Sequence, residues 1–283
     1  MTVPLPTFLI IGTAKSGTTS LARYLGAHPD VFIPPAKEMR FFSEESNWHK
    51  GLDWYGSQFV DAGRCSAIGE ASPAYSAYPT HMRVPEKISL TLPEVRLIYL
   101  VREPIARIMS HYRYAVDRGK EWRSVDEAVT RRADYLHRSQ YAMQLERYLR
   151  FFPRDSILVI RSEDLLEQRA GTLRSVFEFI SVDPDWEGEE FDKVFNTREQ
   201  LERGGYRGRV ARQVERNRDL GETSWTSMAG KLNREFRVRA RSRSLLDRPL
   251  SDWAGDFLRD QLRPDILRLR SLIPGGFDGW GIA

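Results

Sequence analysis

Four apolar runs, at residues 8–11, 67–69, 96–101 and 157–160, punctuate an otherwise mixed chain. Each is too short for a helix and reads as a strand buried on both sides. Between and after them, apolar residues recur every three to four positions, predicting helices around 16–27, 81–91, 104–118, 135–151 and 168–180. Leu173, Val176, Phe177 and Ile180 have that helical spacing and read as core. Pro153 cuts the fourth helix before the strand at 157. Leu258, Leu262, Ile266, Leu267, Leu269 and Leu272 predict a last helical region that packs back on the body. Strands alternating with helices predict an α/β fold class: a central parallel β-sheet flanked by helices, in one domain spanning residues 1–283. Residues 183–250 are polar, glycine-containing and weakly periodic, and the expectation for them is a mobile cover over a site.

The first strand runs into Gly12-Thr13-Ala14-Lys15-Ser16-Gly17-Thr18-Thr19. A glycine turn between a buried strand and a helix aims backbone N–H groups and a helix N-terminus at one point, a cradle for phosphate. A nucleoside-triphosphate loop reads G-x-x-x-x-G-K-[ST]. Here the glycine spacing and the hydroxyl of Thr19 are kept, but Thr18 replaces the lysine and the cation appears earlier, as Lys15. The loop predicts a phosphate-bearing ligand other than magnesium-ATP.

A second anion site is predicted at the strand ending in Arg102. Pro104 suits a first helical position, which leaves Arg102 at the strand's C-terminal end, where α/β proteins bind ligands. Arg107, Ser110 and His111 then share a helix face, and Ser110 can reach the ligand that Arg102 meets. Two anion sites on one sheet edge suggest a nucleotide phosphorylated at both ends.

At these residues the chain resembles the sulfotransferases that use 3′-phosphoadenosine 5′-phosphosulfate (PAPS), most of all bacterial sulfotransferases and the heparan-sulfate N- and 3-O-sulfotransferases. Lys15, Gly17, Thr18 and Thr19 match the family's K-x-G-T-[TS] loop, and Arg102 through Ser110 match R-[DE]-P-x-x-R-x-x-S. The Lys37-Glu38-Met39-Arg40-Phe41-Phe42, Gly69-Glu70-Ala71-Ser72-Pro73-Ala74-Tyr75 and Tyr141–Leu149 runs and the tail from Arg263 to Trp280 extend the likeness over essentially the whole chain. The resemblance implies a P-loop-like sulfotransferase fold and PAPS as donor, with no metal. It implies that Lys15, Ser16, Gly17, Thr18, Thr19 and Ser20 hold the 5′-phosphosulfate and that Arg102 and Ser110 hold the 3′-phosphate. Glu70, again at a strand's end, is implied as the base that deprotonates the acceptor, although Ala71 stands where the family often has lysine. A glutamate that merely satisfies the turn is the alternative. His49 is a second choice of base or substrate contact, with a packing residue beside Trp48 as its plain reading.

Lys37 and Arg40 are expected either to meet the sulfonate or an acidic acceptor, or to be surface charge beside a core Phe41-Phe42 pair. Tyr206-Arg207-Gly208-Arg209 is the candidate closing segment over the 3′-phosphate, since two guanidinium groups around a glycine can converge on one anion. It lies in the span 203–243, where eleven arginines and Lys231 face four acids. Such a charge run is as often a solvated helix face. Without aromatic interleaving or a nucleic-acid motif, no nucleic-acid partner is expected.

Composition narrows the remaining classes. With 283 residues, 41% apolar, 29% charged and a net charge of +4, the chain reads as an ordinary soluble protein. No apolar run approaches the roughly 20 residues of a membrane span, and the N-terminus has no secretory pattern, so a cytoplasmic location is the default. Cys65 is alone and no Cys/His cluster has metal-ligand spacing. The expected activity is sulfuryl transfer to a hydroxyl, with an amine as second choice, on a glycan, glycolipid or secondary metabolite. A small-metabolite kinase and a non-catalytic nucleotide- or polyanion-binding protein are the competing classes; Thr18 opposes the first, and the pairing of Lys15 with Glu70 opposes the second.

Overall fold

The computed structural model describes residues 4–36, 38–43, 47–193, 195, 245–246, 248–273 and 276–283. Among them, five strands form one parallel sheet: β1 (Phe8–Gly12), β2 (Val31–Phe32), β3 (Ala67–Ala71), β4 (Arg96–Val101) and β5 (Ile157–Arg161), in the order β2-β3-β1-β4-β5. All five residues of β1 are buried because its alternate side chains feed two different cores. Leu9 and Ile11 join Leu97, Tyr99 and Val101 on one face; Phe8 and Ile10 join Ile98, Leu100, Ala67 and Ala71 on the other. Each fully buried Leu, Ile, Val or Phe among them contributes about 1.5–3 kcal/mol through burial. Phe8 lies across Gly69, where an added Cβ would come within 2.0 Å of the ring.

The helices are α1 (Thr18–Leu25), α2 (Gly51–Ser57), α3 (Val84–Thr91), α4 (Pro104–Asp117), α5 (Val125–Arg131), α6 (Ala133–His137), α7 (Tyr141–Tyr148), α8 (Ser162–Glu167), α9 (Arg169–Ile180) and α10 (Asp252–Leu272). Leu21 and Leu25 of α1 pack with Leu173, Val176, Phe177 and Ile180 of α9 over one face of the sheet. Helices α3, α4, α7 and α10 bury Ile88, Ile108, Leu145, Leu262 and Ile266 over the other. Helix α4 opens on Pro104, as the sequence predicts, and the Glu103 carboxylate caps it, accepting from the N–H groups of Ile105 and Ala106.

The predicted parallel α/β architecture and its four strands are present, and the differences have local causes. The two-residue strand β2 carries too little pattern to be read from the chain. The helix expected over 135–151 is two helices, α6 and α7. Ser139 breaks it: its buried hydroxyl donates to the Pro104 carbonyl at 3.2 Å and accepts from Arg107 Nε at 2.5 Å, anchoring the break to α4. The helix expected over 168–180 is α9, and the separate α8 precedes it directly after β5. Helices α2 and α5 are also additional to the predicted set. Most of the span 183–250, including the arginine-rich stretch, lies outside the described residues.

Candidate active site

Strand β1 has β3 on one side and β4 on the other: the chain leaves β1 through α1 toward β2 on one side and later crosses from β3 to β4 on the other, which opens a crevice at the strands' C-terminal ends. A cleft of about 670 Å³ occupies this edge. Its floor is the loop from β1 to α1. Gly12 starts that loop with its Cα against Ser76, where an added Cβ would lie 1.7 Å from Oγ. Gly17 caps α1 with φ 91°, a left-handed conformation that side chains other than glycine's adopt at a cost. Lys15 also has a positive φ of 77°.

The loop supplies Lys15, Gly17, Thr18, Thr19 and Ser20 to the cleft wall. Ser20 Oγ donates to the Phe195 carbonyl at 3.3 Å. Ser16 does not face the cleft with its side chain, which is fully buried; its carbonyl accepts a bond from Ser162 Oγ at the start of α8. Arg102 and Ser110 line the same cleft from β4 and α4. The Arg102 guanidinium donates from Nη1 to the Lys15 carbonyl at 3.2 Å. The Lys15 ammonium stands 4.6 Å from the centre of the Tyr114 ring, one helical turn beyond Ser110, and Arg118 covers the same ring at 5.1 Å. Burial and then the Arg102 charge hold the Lys15 amine below the ordinary lysine range, with Asp117 pulling the other way.

Behind Ser110, Arg107 is wholly buried. It donates to Ser139 Oγ and to the Tyr135 carbonyl at 2.7 Å, and burial pushes its pKa down to about 10. Arg107 thus ties α4 to the α6–α7 break and is not a cleft contact. His111 does line the cleft; burial, then Arg107 and Arg138, push its pKa to about 2, so the imidazole stays neutral near neutral pH.

Glu70, the penultimate residue of β3, lies beside this edge but is only 1% exposed and is not among the residues of the cleft wall. It accepts from Tyr55 Oη and Ser72 Oγ at 2.5 Å each, and from Tyr75 Oη at 2.9 Å. Burial raises its pKa, while the three hydroxyl donors favour the ionised form. The carboxylate therefore sits in a cage of hydroxyls, and the Arg40 backbone N–H adds to the groups that favour its ionised form. Pro73 and Ala74, which follow it, do reach the cleft. Arg40 lines the cleft as well, in an ion pair with Glu38 at 2.8 Å, and its backbone N–H donates to Ser72 Oγ. Phe41 and Phe42 are core. His49 lies exposed in the turn Trp48–Lys50, away from the cleft wall. Lys37 and the segment Tyr206, Arg207, Gly208 and Arg209 lie outside the described residues.

The structure also brings His81, Arg138, Ser162, Glu163 and Arg169 to the cleft. Ser162 and Glu163 follow the end of β5, so the strand-end rule that picks out Arg102 applies to them equally. Arg138 carries no such signal, because it arrives through the break between α6 and α7. Among the described residues there is no cluster of His, Cys, Asp or Glu that could hold a metal ion, and no helix long and apolar enough to cross a membrane.

Residues 5–201 match the sulfotransferase domain family model. The chain is 30% identical over 193 residues to human heparan sulfate glucosamine 3-O-sulfotransferase 5, covering 64% of this chain and 54% of that protein. It is 32% identical over 187 residues to mouse heparan sulfate glucosamine 3-O-sulfotransferase 3B1, covering 63% and 46%. The chain thus spans about half the length of these relatives. The crystal structure of a sulfotransferase from Alicyclobacillus acidocaldarius superposes with a TM-score of 0.71 at 24% identity, over 99% of this chain and 100% of that one, and shares the fold. A loop with lysine before its second glycine, an arginine at the end of the adjacent strand β4 and a match over residues 5–201 lead to one conclusion: the chain belongs to the sulfotransferase domain family.

Proposed function

We propose that the protein moves the sulfuryl group of PAPS to a hydroxyl, or second to an amine, of a glycan, glycolipid or secondary metabolite. The observation that carries this reading is the hydrogen-bonded pairing of Lys15 and Arg102 in one cleft, which suits a donor with a phosphate at each end. The loop N–H groups with Thr18 and Thr19 hold the 5′-phosphosulfate, and Arg102 with Ser110 holds the 3′-phosphate. Heparan sulfate appears in the names of the relatives and supports a glycan among these acceptors.

Transfer needs in-line geometry, a stabilised leaving group and an activated acceptor. The acceptor oxygen forms its bond to sulfur as the bond from sulfur to the 5′-phosphate oxygen breaks. Negative charge grows on that phosphate, and the Lys15 ammonium and loop N–H groups are there to meet it. Glu70 takes the acceptor's proton. Burial raises its pKa and its three hydroxyl donors oppose that rise, and the acceptor reaches it by displacing part of that cage behind Pro73 and Ala74. The test is transfer from sulfur-labelled PAPS across soluble glycans, glycolipids and phenolic or alcoholic metabolites. Label appearing in one acceptor class supports the reading, and donor consumption with ATP and magnesium instead would overturn it.

A further inference from the structure

The peptide unit between Arg102 and Glu103 is gripped from both sides. Its carbonyl accepts from Tyr141 Oη at 2.8 Å, and its N–H donates to Glu163 Oε1 at 2.9 Å. These two partners come from separate elements, the start of α7 and α8. The two hydrogen bonds restrain the peptide plane, and with it the backbone that aims the Arg102 side chain. Tyr141 is itself fixed. Its ring is buried, packed edge-on to Tyr99 and tilted against Trp280. The next two residues, Ala142 and Met143, donate their N–H groups at 2.9 Å each to the buried carboxylate of Asp265 in α10. The family match ends at residue 201, so this last support comes from outside it.

We infer that Tyr141 and Glu163 are positioning residues for the 3′-phosphate: they clamp the Arg102–Glu103 peptide, and α10 braces the clamp through Asp265. The inference rests on the donor reading above, because it needs Arg102 to meet the 3′-phosphate. Tyr141 has no place on the cleft wall, so its effect on a ligand must pass through Arg102. The chemistry read at this point is a phosphate monoester on the ribose 3′-oxygen, and the clamp serves discrimination for that group over a bare 3′-hydroxyl.

Tyr141→Phe tests this, since it removes one O–H and keeps the ring in its packing. Calorimetry with 3′-phosphoadenosine 5′-phosphate (PAP) and with AMP supplies the readout. The clamp predicts that PAP binds about 3- to 10-fold more weakly, the weight of one neutral hydrogen bond, while AMP affinity changes less than about twofold. Glu163 lines the cleft itself, so its test compares two variants that both lack its charge: PAP should bind more weakly to Glu163→Ala than to Glu163→Gln, which keeps an acceptor oxygen for the Glu103 N–H. Equal losses for both nucleotides or no loss for PAP in Tyr141→Phe, or equal PAP affinity in Glu163→Ala and Glu163→Gln, would overturn the clamp. A parent protein that binds PAP no better than AMP would instead overturn the donor reading, and the clamp with it.

Discussion

Arg102 donates a hydrogen bond from its guanidinium to the backbone carbonyl of Lys15, at 3.2 Å. The cation at the end of β4 therefore helps fix the loop that carries the other cation. Neither feature is local in sequence, and the parallel pairing of β1 with β4 brings them together.

Replacing Arg102 with alanine should cost PAP about 1.5–3 kcal/mol of binding, the weight of a charge-assisted bond. AMP, which has no 3′-phosphate, should lose far less. Calorimetry with both nucleotides checks this, and an equal loss for the two would show that Arg102 acts only by supporting the Lys15 loop.

Lys15→Ala should lower kcat more than it weakens PAP binding, because the ammonium matters most when the leaving phosphate gains charge. The amine is held below the ordinary lysine range, so activity in the parent should fall on the alkaline side before a free lysine would titrate. A pH profile of kcat checks the sign. Lys15→Arg, if active, should move that limb upward or remove it.

Glu70→Gln keeps the shape of the caged side chain but cannot accept a proton. A positioned general base contributes about 10²- to 10⁴-fold, so turnover should fall by that order while PAP affinity holds. The amide also places an N–H₂ among three hydroxyl donors that can rotate to accept, so the melting temperature should move only modestly. Full activity in this variant would remove Glu70 from the mechanism, and loss of folding would make the cage a structural tie.

Asp265 ties α10 to α7 and titrates unusually. Burial raises its carboxyl from 3.8 to about 6 in the folded chain, against the opposing N–H bonds of Met143 and Ala142. The folded state then holds this proton more tightly than the unfolded chain. The stabilisation from this group is complete below its unfolded pKa and is lost as pH rises through about 6. Asp265→Asn removes the titration, so its stability should fall less steeply than the parent's between roughly pH 4 and pH 6. Urea midpoints across that range measure it, and parallel curves for the two proteins would contradict the shift.

The parts of the site legible in sequence are those carried by short-range rules. A glycine loop after an apolar run gives the Lys15 cradle, and Arg102 followed by Pro104 gives a strand end and a helix start. Glu70 is legible as a residue at a strand end, but the hydroxyl cage is not, because Tyr55 reaches it from α2 across fifteen residues. Arg107 shares a helix face with Ser110 by spacing, which leaves open whether it buttresses Arg102 or pairs with a neighbouring acid. Its burial against Ser139 and Tyr135 depends on the break between α6 and α7, which the helical periodicity of 135–151 hides. The peptide clamp is invisible for the same reason: Tyr141 and Glu163 meet the Arg102–Glu103 peptide only through the packing of α7 and α8 at the sheet edge.

The most direct test of the account is a calorimetric competition in the parent protein between PAP, without added metal, and ATP with magnesium. A loop built for a 5′-phosphosulfate, with Arg102 and Ser110 for the 3′-phosphate, predicts one molecule of PAP bound per chain in the presence of EDTA and little displacement by ATP with magnesium. Tight magnesium-dependent ATP binding that displaces PAP, or no PAP binding at all, would contradict it.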